Sequence, residues 1–232
     1  TSEPFFGINS EITWSVLKYI ADHGYKNPFW LVTKFGFTES EIGLWVSRFK
    51  YLSKKGNKII LSISWSNLPK DIEPFTNDRF KHIHSLKGIP NLHISHHFRP
   101  IINGINDSKE NIEYCLKRTL PLVDSVCIGG LRVDPGILLA WKYVGGLSTR
   151  LLPENYLYKN LHGEFMKLVE QTIVDLDFKT PIFMRTSKMI SHACGWKSDY
   201  NLYEFRNKKK KYFLKVPLSI QKKVEEKFHD NI

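Results

Sequence analysis

The sequence predicts an α/β fold built on a single parallel β-sheet. Short, continuous apolar segments alternate along the chain with amphipathic segments of helical period, the pattern of consecutive βα units. Polar and charged residues stand where several apolar segments end, and parallel sheets bind ligands at the carboxyl ends of their strands. No Gly-x-Gly-x-x-Gly follows any strand, which argues against a dinucleotide fold. An incomplete barrel is therefore favoured over an open, doubly wound sheet.

The first helix is predicted over residues 12–23. Its apolar residues recur at helical spacing and are expected to share one face: Ile12, Val16, Leu17 and Ile20. A compact apolar strand follows over residues 29–34. Because this strand closes with Thr33 and Lys34, it presents a polar pair at its carboxyl end.

The second helix is predicted over residues 38–55. Thr38 stands three residues before Glu41, the spacing of a capping box that opens a helix. A helical apolar stripe follows: Ile42, Trp45, Val46, Phe49 and Leu52. Gly56 then stands where a helix-ending glycine is expected.

The same alternation continues to about residue 186. Later strands are predicted over residues 58–65, 92–98, 125–132 and 181–186, and later helices over residues 77–86, 109–120 and 161–176. Neither an internal repeat nor a low-complexity linker interrupts them. One α/β domain over residues 1–200 and a basic C-terminal extension over residues 201–232 are therefore expected.

The loop Arg99-Pro-Ile-Ile-Asn-Gly-Ile-Asn-Asp-Ser108 is the most informative connection. It leaves a predicted strand with an arginine and contains two Asn/Gly-type turns. Asp107 stands three residues before Glu110, which predicts a capping box at the start of the next helix. The loop is therefore a candidate ligand-binding segment.

Composition places the chain among globular proteins. It has 232 residues, of which 42% are hydrophobic and 25% are charged. No apolar run approaches the roughly 20 residues that span a bilayer, and no signal peptide is recognised, so no membrane partner is expected. Three cysteines without C-x-x-C spacing make a disulfide framework improbable and favour a reducing, cytoplasmic setting. A first residue of Thr1 suggests a fragment or a processed product.

The chain is basic, with a formal net charge of +11. Residues 204–232 hold nine Lys or Arg against four Asp or Glu. The densest part has aromatic neighbours at Tyr212 and Phe213, and its basic residues are Arg206, Lys208, Lys209, Lys210 and Lys211. Such a segment suits the phosphate backbone and bases of DNA or RNA, and it equally suits a solvated, lysine-rich terminus.

The polar residues at the strand ends are the candidate site. Thr33 and Lys34 close the first strand, and Arg99 closes the third. Ser62 and Ser64 fall on one face of the second strand, where they serve either as ligands or as small barrel-filling residues. Lysine and arginine at this edge suit a carboxylate, a phosphate or a ribose-bearing ligand.

Other chemistries have weaker sequence support. His96 and His97 are expected to point to opposite faces of their strand, so they do not share a metal site. Neither a Gly-x-Ser-x-Gly elbow nor a P-loop is present, which removes support for hydrolase and nucleoside-triphosphatase readings.

Five motifs taken together resemble the radical S-adenosylmethionine superfamily, in the branch of spore photoproduct lyase and the "DNA repair photolyase" proteins. In order they are Pro28-Phe-Trp-Leu-Val-Thr-Lys34, Leu61-Ser-Ile-Ser64, Glu73-Pro74, the Arg99–Ser108 loop and Arg185-Thr-Ser187. The resemblance covers about residues 1–200. It implies a partial (β/α)6 radical S-adenosylmethionine barrel that lacks its first one or two strands.

The resemblance also implies an activity. The barrel would bind S-adenosylmethionine beside a 4Fe–4S cluster and generate a 5′-deoxyadenosyl radical for hydrogen abstraction, with nucleic acid as a possible substrate and a flavodoxin or ferredoxin as reductant. Lys34 and Ser62 would contact S-adenosylmethionine, and Arg99 would line the pocket. Ser2, in a segment similar to the family's Thr-Ser-Asp, would be a further contact. Ser64 joins the set because it shares a strand face with Ser62.

The sequence departs from the family at the cluster. The Cys-x-x-x-Cys-x-x-Cys loop is absent, so the cluster ligands are expected upstream of residue 1, and Lys188 replaces the cysteine that often follows Arg-Thr-Ser. Three alternatives stay open. They are a non-catalytic, degenerate relative, a basic nucleic-acid-binding module, and an unrelated barrel lyase of the aldolase type that uses Lys34 as an amine nucleophile.

Overall fold

Strands and helices alternate along the chain, as the sequence predicts. The computed structural model describes residues 3–73, 78–102, 104–130, 163–176 and 179–196. The strands are β1 (Phe29–Thr33), β2 (Ile59–Ser64), β3 (Leu92–Ile101), β4 (Ser125–Gly130) and β5 (Ile182–Phe183). The helices are α1 (Ile8–Asp22), α2 (Glu39–Lys54), α3 (Lys109–Thr119), α4 (Gly163–Leu176) and α5 (Thr186–Cys194), with short 3-10 helices at Ile83–Leu86 and Leu120–Leu122.

The five strands form one parallel sheet in chain order, β1-β2-β3-β4-β5. In register, Thr33 lies beside Ile63, and Ile63 lies beside His96. Every connection steps to the next strand in the same direction, and right-handed crossovers of this kind keep the connecting helices on one face of a sheet. The α/β class is confirmed, and this sheet is compatible with a partial barrel.

The main core lies between one face of the sheet and helices α1 to α4. Its largest fully buried side chains include Trp45 and Phe49 of α2, which pack with the β2 residues Ile59, Leu61 and Ile63 in one cluster. Fully burying each of these side chains stabilises the fold by about 1.5–3 kcal/mol relative to leaving it exposed. The core therefore determines which face of the sheet packs against helices α1 to α4.

The opposite face of the sheet, which we call the inner face, carries the polar strand residues. Helix α5 covers part of it by packing Met189 and Ala193 against Ile60 and Cys127. The inner-face side chains at the carboxyl half of the strands include Ser62, Ser64, Ser95, His97 and Arg99. Hydroxyl, imidazole and guanidinium groups on this face contrast with the apolar face under α1 to α4.

Helix α1 is present, but its predicted apolar face is only partly buried. Leu17 and Ala21 are buried, whereas Ile12 is 55% exposed and Val16 is 52% exposed. An apolar residue on a helix is buried only if a neighbouring element covers it, and α1 contacts the rest of the fold through the stripe around Leu17.

The helix predicted over residues 77–86 is wrong. Only Ile83–Leu86 is helical in the described part of this segment, and it is a 3-10 helix. The buried side chains Phe80, Ile83 and Leu86 recur every third residue. A period of three matches the 3.0 residues per turn of a 3-10 helix, so these side chains stack on one side without an α-helical turn.

The capping box predicted from Asp107 and Glu110 is also wrong. Helix α3 is capped by Ser108, whose hydroxyl accepts a hydrogen bond from the N–H of Asn111 at 3.2 Å. Asp107 instead accepts from the N–H of Gly104 at 2.9 Å. Its carboxylate closes the preceding loop and is therefore not available to the helix.

The late strand is shorter than the predicted 181–186. Strand pairing covers only Ile182–Phe183. Helix α5 already begins at Thr186, and this helix was not predicted from the sequence. The fourth strand is described to Gly130. Its predicted last residues, Leu131 and Arg132, lie outside the described residues.

Replacing Thr38 with alanine is expected to lower the free energy of unfolding by about 1 kcal/mol. The predicted capping box is confirmed, since the Thr38 hydroxyl accepts from the N–H of Glu41 while the Glu41 carboxylate accepts from the N–H of Thr38 at 2.8 Å. Urea denaturation of T38A measures the loss. S47A, an exposed hydroxyl deletion inside the same helix, is the control and should change stability by less than half as much.

Candidate functional site

The carboxyl ends of β1 to β4 lie along one edge of the sheet, since these strands are parallel and adjacent. Polar side chains at this edge contact one another directly. We call this set the strand-end network, and its members are Glu3, Thr33, Lys34, Ser64, Glu73, Arg79, Arg99 and Cys127. Because ligands bind at this edge in parallel α/β proteins, the network is the candidate site.

Glu3 fastens the end of β1. Its carboxylate accepts hydrogen bonds from the Thr33 hydroxyl and, at 2.9 Å, from the backbone N–H of Lys34. The Thr33 hydroxyl oxygen in turn accepts from the N–H of Phe35 at 2.8 Å. These bonds fix the backbone at the point where the Lys34 side chain leaves the strand.

Glu73 holds two cations at once. Its Oε1 lies 2.5 Å from Lys34 Nζ, and its Oε2 lies 3.2 Å from Arg79 Nη2. The side chains of Glu73 and Arg79 are 8% and 1% exposed, whereas that of Lys34 is 48% exposed. A buried ion pair is stable only when its remaining donors find acceptors, and Arg79 also donates to the carbonyl oxygen of Ser64. Glu73 therefore makes the buried position of Arg79 possible.

Arg99 extends the network to β4. Ser64 Oγ donates to the carbonyl oxygen of Arg99 at 3.2 Å, and Arg99 Nη2 donates to Cys127 Sγ at 2.8 Å. The Nε of Arg99 is buried and has no hydrogen-bond partner in the described part of the chain. None of the described carboxylates forms an ion pair with this guanidinium.

The charge of the strand-end network favours binding of an anionic group, such as the carboxylate of a ligand. Three cations, Lys34, Arg79 and Arg99, stand against two carboxylates, Glu3 and Glu73. Guanidinium and ammonium groups bind carboxylates and phosphates through charge-assisted hydrogen bonds. A negatively charged group at this edge would bring the charges close to balance.

The two candidate serines occupy different environments. Both lie on the inner face, as strand alternation predicts. Ser62 is fully buried and its Oγ accepts a hydrogen bond from Trp30 Nε1 at 2.9 Å. Ser64 is nearer the strand end and takes part in the strand-end network through Arg99.

The structure thus brings three predicted site residues together: Lys34, Ser64 and Arg99 are linked through Glu73 and Arg79. Ser62 lies two residues deeper, beneath Trp30. The remaining predicted residues lie outside the described residues, and they are Ser2, Arg206, Lys208, Lys209, Lys210 and Lys211.

Two histidines of β3, His96 and His97, contact other groups of the protein on opposite faces of the sheet. His96 lies in the main core, with Nε2 2.7 Å from the carbonyl oxygen of Trp65 and Nδ1 2.8 Å from the Thr119 hydroxyl. Burial lowers the pKa of His96 to about 4. His97 lies on the other face near the ring of Trp30, so the predicted opposition of His96 and His97 is confirmed. Among the described residues, no group of three or more His, Cys, Asp or Glu could hold a metal ion.

Cys115, Cys127 and Cys194 form no disulfide bonds with one another and lie on α3, β4 and α5. Burial raises the pKa of Cys115 to about 12 and also raises the pKa of Cys194. An iron–sulfur cluster needs several thiolates converging on one point, and Cys115 and Cys127 belong to different hydrophobic clusters. These cysteines therefore do not fit a 4Fe–4S cluster.

Four members of the strand-end network were not foreseen as site residues: Glu3, Glu73, Arg79 and Cys127. Each acts through a partner at least 28 positions away in the chain or through a loop whose path the sequence does not reveal. The only local signal is the position of Arg79 six residues after Glu73, within the loop that follows β2.

Comparison of the chain with protein-family models, with characterised proteins and with solved structures finds no match. Over the ranges that the structure describes, none of the helices combines the length and apolar character needed to cross a membrane. The functional argument consequently rests on the geometry of the strand-end network.

Proposed function

We propose that this chain is the barrel portion of a radical S-adenosylmethionine enzyme and that the strand-end network forms one wall of its S-adenosylmethionine site. The observation that carries the proposal is the continuous polar network across four consecutive parallel strand ends, with Lys34 and Arg99 as its incompletely buried cations. The finer fold assignment, a partial (β/α)6 barrel, belongs to the same proposal.

The donor set of the network fits S-adenosylmethionine. The ligand offers a carboxylate for a cation such as Lys34 or Arg99, and ribose hydroxyls for Ser64 and the backbone of the strand ends. When reductively cleaved, S-adenosylmethionine supplies a 5′-deoxyadenosyl radical that abstracts hydrogen from a substrate. The residues of this chain would bind and orient the ligand and exclude water from it.

The 4Fe–4S cluster does not fit the described cysteines, so none of the steps assigned to this chain runs through it. Within the proposal, none of its thiolate ligands is assigned to Cys115, Cys127 or Cys194, and the electron comes from a flavodoxin or ferredoxin. DNA or RNA as substrate is part of the same proposal. Arg206 and Lys208 to Lys211, which motivate it, lie outside the described residues.

The lysine-dependent lyase is less well supported by the geometry. A Schiff-base lysine needs an unprotonated amine, and such lysines are usually desolvated or placed beside another cation. Lys34 is instead half-exposed and lies 2.5 Å from the Glu73 carboxylate. Lys34 is thus held in an ion pair, a setting that suits a residue that binds a ligand through its charge.

S-adenosylmethionine is expected to bind the full chain saturably in isothermal titration calorimetry and to protect the backbone amides of residues 33, 34, 98, 99, 101 and 102 in hydrogen exchange. Lys34→Met should weaken binding about tenfold, the typical value of one charge-assisted hydrogen bond. The matched control is Lys117→Met, which removes another half-exposed lysine paired to a carboxylate, that of Glu113 at 2.7 Å.

Two results would contradict the proposal. One is the absence of saturable binding at millimolar ligand with the chain folded, and the other is protection confined to residues away from the strand ends. Equal weakening by Lys34→Met and Lys117→Met would show a nonspecific charge effect in place of a site.

A further inference from the structure

We infer that Arg99 is the carboxylate-binding residue of this site and that Gly129 is the positioning residue that makes it so. The inference rests on the proposed function for the identity of the ligand, S-adenosylmethionine. It assigns the amino-acid end of that ligand to the β3–β4 side of the strand-end network, away from Lys34.

The first step is the distribution of charge between the two incompletely buried cations. Lys34 already has the Glu73 carboxylate at 2.5 Å, and that carboxylate is shared with Arg79. Arg99 has only a neutral partner among the described residues, the sulfur of Cys127. A cation without a carboxylate attracts an anionic ligand more strongly than one that is already paired, because binding displaces no existing ion pair.

The second step is the buried Nε of Arg99. This N–H has no acceptor in the described part of the chain, although the atom is shielded from solvent. Leaving a buried donor unsatisfied is unfavourable, and a carboxylate oxygen would satisfy it together with a neighbouring Nη–H in a bidentate pair. The guanidinium is thus an incomplete binding site, and its missing acceptor has the chemistry of a carboxylate.

The third step is the role of Gly129. A Cβ at this position would lie 2.7 Å from Arg99 Nε, which is closer than carbon–nitrogen contacts allow, and a tight 3.2 Å from its Cζ. Glycine therefore lets the arginine lie flat across β4, with Nη2 reaching Cys127 at 2.8 Å. An alanine at residue 129 would move the flexible end of Arg99 and leave the strand backbone in place.

The test compares S-adenosylmethionine with 5′-methylthioadenosine, which keeps the nucleoside and the methylthio group and lacks the sulfonium charge and the whole amino-acid end, its carboxylate and ammonium groups. Dissociation constants are measured by calorimetry for the wild-type chain and for R99M, R99K, G129A and K34M. The wild type is expected to prefer S-adenosylmethionine by at least tenfold. R99M and G129A should bring that preference to near one, with binding of 5′-methylthioadenosine changed less than threefold.

The controls separate a positioning role from a structural one. K34M should weaken both ligands similarly and keep the preference, while R99K should keep only part of it since lysine lacks the bidentate fork. S-adenosylhomocysteine, which has the carboxylate without the sulfonium, should follow S-adenosylmethionine in every variant. Thermal unfolding identifies any variant that fails to fold, and R99K then replaces R99M.

The outcomes distinguish the two proposals. If the wild type binds neither compound, the proposed function fails. If the wild type binds S-adenosylmethionine and R99M keeps the preference, the assignment of Arg99 fails while the proposed function stands. Loss of the preference in R99M but not in G129A would overturn the role of Gly129 alone.

Discussion

Replacing Glu73 with glutamine is expected to lower the free energy of unfolding by about 3–5 kcal/mol, the usual effect of removing one partner from a buried ion pair. The reason is the burial of Arg79, whose side chain is 1% exposed and whose Nη2 lies 3.2 Å from the Glu73 carboxylate. Glutamine keeps the shape of glutamate and removes its charge. Urea denaturation followed by tryptophan fluorescence measures the change.

Glu113→Gln is the matched control for Glu73→Gln. The Glu113 carboxylate pairs with Lys117 and Lys109, but it lies at the surface, where such pairs contribute about 0–1 kcal/mol. The double variant E73L/R79M should cost less than E73Q alone, since it removes both charges together. A loss in E73Q no larger than that in E113Q would show that Arg79 does not depend on Glu73.

The expected cost of E73Q bears on ligand binding as well as on stability. Arg79 links Glu73 to the carbonyl oxygen of Ser64, and the Ser64 hydroxyl links to the carbonyl oxygen of Arg99. The position of Arg99 therefore depends partly on the Glu73–Arg79 charge pair in the loop that follows β2. Sites held in this way have their binding geometry before the ligand arrives, which reduces the ordering cost of binding.

Several features that depend on neighbouring residues were predictable from the sequence, although the cap of α3 was assigned to Asp107 where Ser108 provides it. The capping box of Thr38 and Glu41 is confirmed because both partners lie within one helical turn. The parallel α/β class is confirmed for a related reason, since alternating apolar and amphipathic segments repeat the same short unit. At the candidate site, the strand-end positions of Lys34 and Arg99 follow directly from the strand boundaries.

Features that depend on tertiary contacts were not predictable. The exposure of Ile12 and Val16 is set by which elements reach α1, and the 3-10 turn at Ile83 by how its buried residues meet the core. The links from Glu3 to Thr33 and from Arg99 to Cys127 join residues 30 and 28 positions apart. No local pattern records them. The need for glycine at residue 129 arises only once Arg99 lies across it.

Acidification is expected to destabilise the protein between about pH 6.5 and pH 4 through its buried histidines. Burial lowers the pKa of His96 to about 4, with the hydrogen bond to the Trp65 carbonyl opposing the shift. Burial likewise lowers the pKa of His93 to about 4. Above pH 6.5 both histidines are neutral in the folded and in the unfolded protein. As the pH falls, the unfolded chain binds protons first, and each histidine then costs about 1.4 kcal/mol per pH unit.

The measurement that isolates His96 is urea denaturation at pH 7.5, 6.0, 5.0 and 4.5 for the wild type and for His96→Gln. Glutamine can donate to the Trp65 carbonyl and accept from Thr119, but it does not titrate. At neutral pH the variant should be less stable, because it loses ring contacts with Phe80 and Phe98. Between pH 7.5 and pH 4.5 its loss on acidification should be smaller by about 2.5 kcal/mol, most of the effect of the lowered His96 pKa. H84Q, which removes an exposed histidine, is the control, and parallel pH profiles for the wild type and H96Q would contradict the prediction.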